Sequence, residues 1–270
     1  MRPGTPRLSG DGLTLAYDKR IIAERLTVAV PDRSFTVVIG PNACGKSTLL
    51  RALARMLKPT AGTVLLDGRD IHAQPARRVA RTLGLLPQTS IAPDGITVAE
   101  LVARGRYPHQ GLLRQWSRDD ERIVGESMAA TGVADLADRL VDELSGGQRQ
   151  RVWIAMALAQ QTELLLLDEP TTFLDIAHQI EVLDLCATLH EEQGRTLVAV
   201  LHDLNQAARY ASHLIAMRDG RVVAAGPPRE IVTADLVERV FGLPCRVIDD
   251  PETGSPLVVP AARRIPTPRP

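Results

Sequence analysis

The chain has 270 residues, 44% apolar and 24% charged, with 32 basic side chains balanced by 32 acidic ones and a pI near 7. That is enough apolar material for one large domain or a core with a subdomain, and a zero net charge leaves no electrostatic footprint for nucleic acid or an anionic membrane as main partner. Three unclustered cysteines (Cys44, Cys186, Cys245) make neither a disulfide framework nor a metal site, and no run approaches the roughly 18 apolar residues of a membrane span, so a cytoplasmic chain that does not itself cross a bilayer is expected.

Residues 12–17 and 25–30 alternate apolar with polar around the polar stretch 18–20, which predicts two half-buried antiparallel strands. Tyr17 ends the first of them. In a chain with 3% aromatic residues it is either a stacking plate for a base or a strand-end ring packed on its own hairpin. Residues 35–39 form an apolar, β-branched run, followed by Gly40, Pro41, Asn42, Ala43, Cys44, Gly45, Lys46, Ser47 and Thr48, and then by an apolar-periodic run, 49–57, that Pro59 stops. Strand, glycine turn and helix are the setting that gives a GxxxxGK[ST] string its mechanism. Gly40 and Gly45 let the backbone pass close to a phosphate and turn N–H groups toward it, and the helix points its positive end at the same spot. Lys46 is expected to reach the β and γ oxygens of a nucleoside triphosphate and the Ser47 hydroxyl to hold Mg²⁺. Leu49, Leu50, Leu53, Met56 and Leu57 are expected in the core, and Cys44 as a buried, inert thiol.

Residues 63–66 and 83–86 read as strands, the second running into Pro87 and Gln88. A strand-end Gln can reach Mg²⁺ or an attacking water, or simply be solvated. Residues 97–103 and 119–131 read as helices of an insert, joined by a loop over 105–116. The string Leu144, Ser145, Gly146, Gly147, Gln148 then opens an apolar-periodic run. Ser145 is a natural N-cap, and the N–H groups of Gly146 and Gly147 are either part of an ordinary capped helix or a second anion site. With one phosphate loop per chain, a second anion site is most economically the completion of another copy's γ-phosphate site.

Residues 164–167 are four leucines ending in Asp168 and Glu169, a strand buried on both faces with carboxylates where open α/β sheets bind ligands. Asp168 is expected to hold Mg²⁺ and Glu169 to orient and deprotonate the attacking water. Asp175 caps the next helix and is placed to signal between sites, and His202, after the strand 197–201, can hydrogen-bond the γ-phosphate. The other histidines, His72, His109, His178, His190 and His213, lack metal-ligand spacing and read as surface or cap residues. Residues 214–217 and 222–225, joined by Asp219-Gly220, predict a hairpin.

Taken together, these strings resemble the ATP-binding subunit of an ABC transporter. Residues 40–48 match its Walker A, 144–148 its signature, 164–169 its Walker B with catalytic glutamate, and Gln88, Asp175 and His202 its Q-, D- and H-loops. The resemblance implies an α/β P-loop NTPase fold with a RecA-like core, an antiparallel β subdomain and a helical subdomain over about 91–160, within a domain spanning 10–250. After Pro260 the chain is rich in Pro and Arg, and residues 251–270 are expected as a flexible C-terminal tail. It also implies a head-to-tail dimer holding two ATP with Mg²⁺, Tyr17 at the adenine, and a membrane permease pushed by the helical insert. The subunit would then lie peripherally on the cytoplasmic face of the membrane, served indirectly by a substrate-binding protein, with no nucleic-acid partner. Finer strings, 85–88, 105–109, 142–160, 171–179 and 200–210, resemble the importer subclass for ferric siderophores, with haem and cobalamin importers as close relatives. One departure is Ala43, where relatives usually have Gly. Rivals from other classes are a soluble ABC-type ATPase acting on nucleic acid or the ribosome, disfavoured by the single compact cassette, and a regulatory module without turnover, disfavoured by Glu169, Gln88 and His202 all being present.

Overall fold

The computed structural model describes residues 6–18, 20–88, 91–111, 116–172 and 174–262. Its elements run β1 (Leu8–Tyr17), β2 (Arg20–Val30), β3 (Phe35–Ile39), α1 (Lys46–Leu53), β4 (Ala61–Leu66), β5 (Arg69–Asp70), α2 (Ala76–Thr82) and β6 (Leu83–Leu86). Next come α3 (Val98–Ala103), α4 (Arg118–Ala130), α5 (Gly146–Ala159), β7 (Leu164–Asp168), α6 (Ile176–Glu191) and β8 (Thr196–Val200). The last part holds α7 (Leu204–Tyr210), β9 (His213–Arg218), β10 (Arg221–Gly226), α8 (Pro228–Ile231), α9 (Ala234–Phe241), β11 (Cys245–Asp249) and β12 (Pro256–Pro260).

The central sheet has the order β10-β9-β3-β8-β7-β6, parallel except for β10, which returns from β9 through the turn at Asp219 and Gly220. Its inner strands read as continuous apolar runs because both faces are covered, and alternate side chains enter two different cores. Val37, Ile39, Leu165, Leu167, Leu197 and Ala199 face the core shared with α3, α4, α5 and α6. Val38, Leu164, Leu166, Val198 and Val200 face the other, where Leu49, Leu50 and Leu53 of α1 meet Leu13 and Leu15 of β1. Each Leu so enclosed contributes roughly 1.5–3 kcal/mol relative to an exposed position. A second, antiparallel sheet, β2-β1-β4-β5, covers that side and carries the hairpin at residue 18 toward the end of α1.

The helical insert is capped by its own sequence. Thr97 with Glu100, Ser117 with Asp120, and Ser145 with Gln148 each form a capping box, fixing where α3, α4 and α5 begin. Between α3 and α4, Arg106 is 3% exposed; it pairs with Asp120 at 2.8 Å and donates to Ala159 O at 2.7 Å, closing the far end of α5.

Three expectations are corrected. α1 ends at Leu53, well before Pro59, because Arg55 takes a left-handed φ of 65° and Met56 and Leu57 hydrogen-bond back to Arg51 O; Met56 is therefore 71% exposed, outside the core. His109 is not a surface residue, since it is partly buried with Nε2 at 2.8 Å from Gln160 O, and burial lowers its pKa below the ordinary His value. Residues 251–262, read as part of a tail, are a turn and strand: β12 pairs with β11, Val258 is buried, and Asn205 of α7 both donates to Val258 O and accepts from Val258 N. The remainder of that tail, 263–270, lies outside the described residues.

Candidate active site

β3 ends at Gly40, whose backbone passes so close to Met217 of β9 that a Cβ there would collide with the Met217 carbonyl. The chain then turns through Pro41 to Cys44, is tied to the β9–β10 turn by the Gly220 N–H donating to Cys44 O at 3.1 Å, and enters α1 at Gly45 with φ 103°. No side chain caps α1, so its first amides are left to a ligand. Inside the loop Lys46 is 5% exposed, with Nζ donating to Gly40 O at 2.9 Å and Pro41 O at 3.0 Å. An ammonium that hydrogen-bonds carbonyls and forms no ion pair among the described residues is poised for an anion. Cys44 is buried and desolvation pushes its thiol up, which matches the expected inert thiol.

Asp168 closes the strand end opposite. Its Oδ1 accepts from Ser47 Oγ at 2.8 Å, while Oδ2 is buried without a hydrogen-bond partner among the described residues. Burial raises its pKa, and only the Ser47 hydroxyl and more distant cations oppose that. A buried carboxylate oxygen without a donor, beside a serine hydroxyl, is the hard-oxygen pair that suits Mg²⁺, so the residues fit that ion. Elsewhere among the described residues no group of His, Cys, Asp and Glu could hold a metal.

Glu169 follows in a left-handed conformation, φ 56°, which turns its carboxylate into the same cleft. Oε2 accepts from Gln88 Nε2 at 2.8 Å and from Thr172 Oγ1 at 3.2 Å, and Oε1 lies 2.7 Å from His202 Nε2. Strand ends β6, β7 and β8 thus bring Gln88, Glu169 and His202 to one spot. Together with Asn42, Ala43, Gly45, Lys46, Ser47 and Thr48 they line a cleft of about 500 Å³. Gln88 spends its amide N–H on Glu169 here, which leaves its carbonyl for other use.

Sequence reasoning missed Arg20 and Ile22, which also line the cleft because the hairpin after Tyr17 folds β2 over the phosphate loop. Their only signal was a position just past the turn. Tyr17 itself is 41% exposed and does not line the cleft; its hydroxyl accepts from Arg51 Nη1 of α1 at 3.3 Å. The structure does not bring Ser145, Gly146, Gly147 and Gln148 into that cleft, nor Asp175, which is an exposed cap accepting from His178 N at 2.9 Å.

A loop wrapped around a buried ammonium, facing an acidic strand end across a helix start, defines a P-loop nucleoside triphosphatase. Residues 23–172 match the family model described as ABC transporter. The chain belongs to the ABC transporter family, as an ATPase subunit. It is 59% identical to the ferric enterobactin transport ATP-binding protein FepC of Escherichia coli K12, over 99% of this chain and 98% of that one. It is 53% identical to the siderophore transport system ATP-binding protein YusV of Bacillus subtilis 168, over 96% and 94% of the two chains. Among solved structures, a metal-chelate type ABC transporter in an inward-facing conformation superposes with a TM-score of 0.80 at 29% identity, covering 95% of this chain and 97% of that one. The dimeric bacterial ABC transporter cassette MJ0796 does so with a TM-score of 0.74 at 27% identity, covering 82% and 98%. No helix among the described residues is long and apolar enough to cross a membrane.

Proposed function

We propose that the chain binds and hydrolyses MgATP in a head-to-tail pair with a second copy, and that the pair drives uptake of a ferric siderophore. A separate membrane permease carries the cargo, a substrate-binding protein delivers it, and the chain works peripherally on the cytoplasmic face. The observation that carries the cargo is near full-length similarity to transport ATP-binding proteins named for ferric enterobactin and for siderophores in two different bacteria.

In this reading Lys46 exchanges Gly40 O and Pro41 O for the β- and γ-phosphate oxygens, and the amides from Ala43 through Thr48 hold the rest of the chain of phosphates. Ser47 Oγ, Asp168 Oδ2 and the Gln88 carbonyl are the oxygens for Mg²⁺, which when bound neutralises phosphate charge. Glu169 orients the attacking water and takes its proton, and His202 steadies Glu169 and meets the γ-phosphate. Tyr17, at the end of β1 and near Arg20 and Ile22 in sequence, is the ring this reading sets against adenine. Ser145, Gly146, Gly147 and Gln148 serve the other copy's triphosphate, whose site one chain leaves open, with Asp175 beside the seam.

Glu169→Gln tests the chemistry: nucleotide affinity and ATP-dependent pairing persist while hydrolysis falls by about 10²–10⁴-fold. Turnover at the parent rate removes Glu169 as the base. Cargo is tested by uptake into vesicles holding the chain with its permease, using labelled ferric siderophores, haem and cobalamin. Ferric siderophore import is expected; import of cobalamin alone overturns it.

A further inference from the structure

Thr172 stands three residues after Glu169, in the turn between β7 and α6. Its backbone N–H donates to Glu169 O at 3.2 Å and its hydroxyl to Glu169 Oε2, also at 3.2 Å, so one residue fixes both the main chain and the side chain of the glutamate. A carboxylate only accepts, so the single hydroxyl proton of Thr172 is committed to that oxygen. The other two partners of Glu169 differ in kind. Gln88 is exposed at the end of β6, and the His202 side chain is 47% exposed after β8; both line the cleft and both have separate work in the reading above. Thr172 is half-buried, does not line the cleft, and travels with Glu169 on the same turn.

The turn is held from behind as well. Gln150 Nε2 of α5 donates to Pro170 O at 3.0 Å, and Leu174, 7% exposed, lies with Cδ2 only 3.3 Å from where a Cβ on Gly147 would stand. The left-handed Glu169 therefore sits on a platform anchored to the first turns of α5, and among the described residues of the turn Thr172 is the side chain that ties the platform to the carboxylate.

We propose that Thr172 is a positioning residue for Glu169: its hydroxyl keeps Oε2 pinned when Gln88 turns away from that oxygen, so that Oε1, the oxygen beside His202, stays presented to the attacking water. This rests on the reading of Glu169 as the base. Loss of the hydroxyl leaves nucleotide binding alone and lets the carboxylate swing, so its effect falls on kcat.

The test measures steady-state MgATP hydrolysis, nucleotide affinity with a fluorescent ATP analogue, and the thermal midpoint, on the full chain and on Thr172→Val, Thr172→Ala and Thr172→Ser, with Glu169→Gln in parallel. Val and Ala variants are expected to lose about tenfold in kcat with KM and nucleotide affinity changed by less than about twofold, while Ser restores the parent kcat. In the Glu169→Gln background Thr172→Val is expected to change nothing further, since the group it positions is gone. Parent kcat in both Val and Ala overturns the proposal. So does a loss that Ser fails to rescue, that appears equally in the Glu169→Gln background, or that comes with weakened nucleotide binding. Should Glu169→Gln itself turn over at the parent rate, it is the base assignment that fails, a result separate from the behaviour of Thr172.

Discussion

Ala43 holds a left-handed backbone, φ 61°, in the middle of the phosphate loop, where a Cβ carries a cost of about 1 kcal/mol that glycine does not. Ala43→Gly is therefore expected to stabilise the chain by about 0.5–1 kcal/mol, raising the thermal midpoint by about 2 °C in calorimetry and leaving kcat unchanged. The strain was legible as a departure from a pattern, and the structure supplies its sign. Lys46 and Ser47 were legible because they open a helix directly after a glycine turn, and Asp168 and Glu169 because they close an apolar strand, junctions that local periodicity marks. Arg20 and Ile22 were not, since what puts them over the loop is a hairpin register that no local signal encodes. The Gln88 and Thr172 contacts to Glu169 were equally hidden, because hydrogen bonds between separate loops depend on the packed sheet.

Among the elements, the helical insert depends on a buried ion pair more than its sequence suggested. Burial alone would raise the Asp120 carboxyl, but hydrogen bonds from Ser117 and Arg106 hold it below the ordinary Asp value. Arg106→Ala strands a carboxylate that is 1% exposed and frees the end of α5, so a loss of about 3–5 kcal/mol is expected in urea denaturation. The pH dependence follows from the lowered pKa: the pair's contribution is whole above the ordinary Asp value and fades as pH falls through the lower folded one. The gap between parent and variant should begin to narrow only below about pH 4, the ordinary Asp value, leaving the part that comes from the Arg106 bond to Ala159 O. The start of α5 was read correctly because Ser145 announces it as a cap, and the starts of α3 and α4 fell within a residue without their caps, Thr97 and Ser117, being read; the end of α1 was misplaced, since Arg55 turns left-handed there without the glycine that normally signals such a stop.

At the scale of the whole molecule, the hairpin β11–β12 is part of the fold through Asn205 and the buried Val258. Removing residues 251–270 uncovers α7, the helix that follows His202, and is expected to cost about 2–4 kcal/mol in denaturant unfolding; an unchanged midpoint would restore the reading of a free tail. The Pro- and Arg-rich stretch after Pro260 drew the reading of a tail back over a strand, 256–260, whose residues are ordinary β formers between prolines. The overall class was legible because six motifs in fixed order constrain a topology far more tightly than any one of them. The tip of α5 standing clear of its own phosphate loop has a genetic corollary. If every working unit takes parts from two chains, blending parent protein with an equal dose of Lys46→Ala subunits leaves only about one pair in four free of the defect, so output should track the square of the healthy fraction. A straight-line titration would mean each chain works alone; a parabola would make a faulty allele of this gene act as a poison to its neighbour.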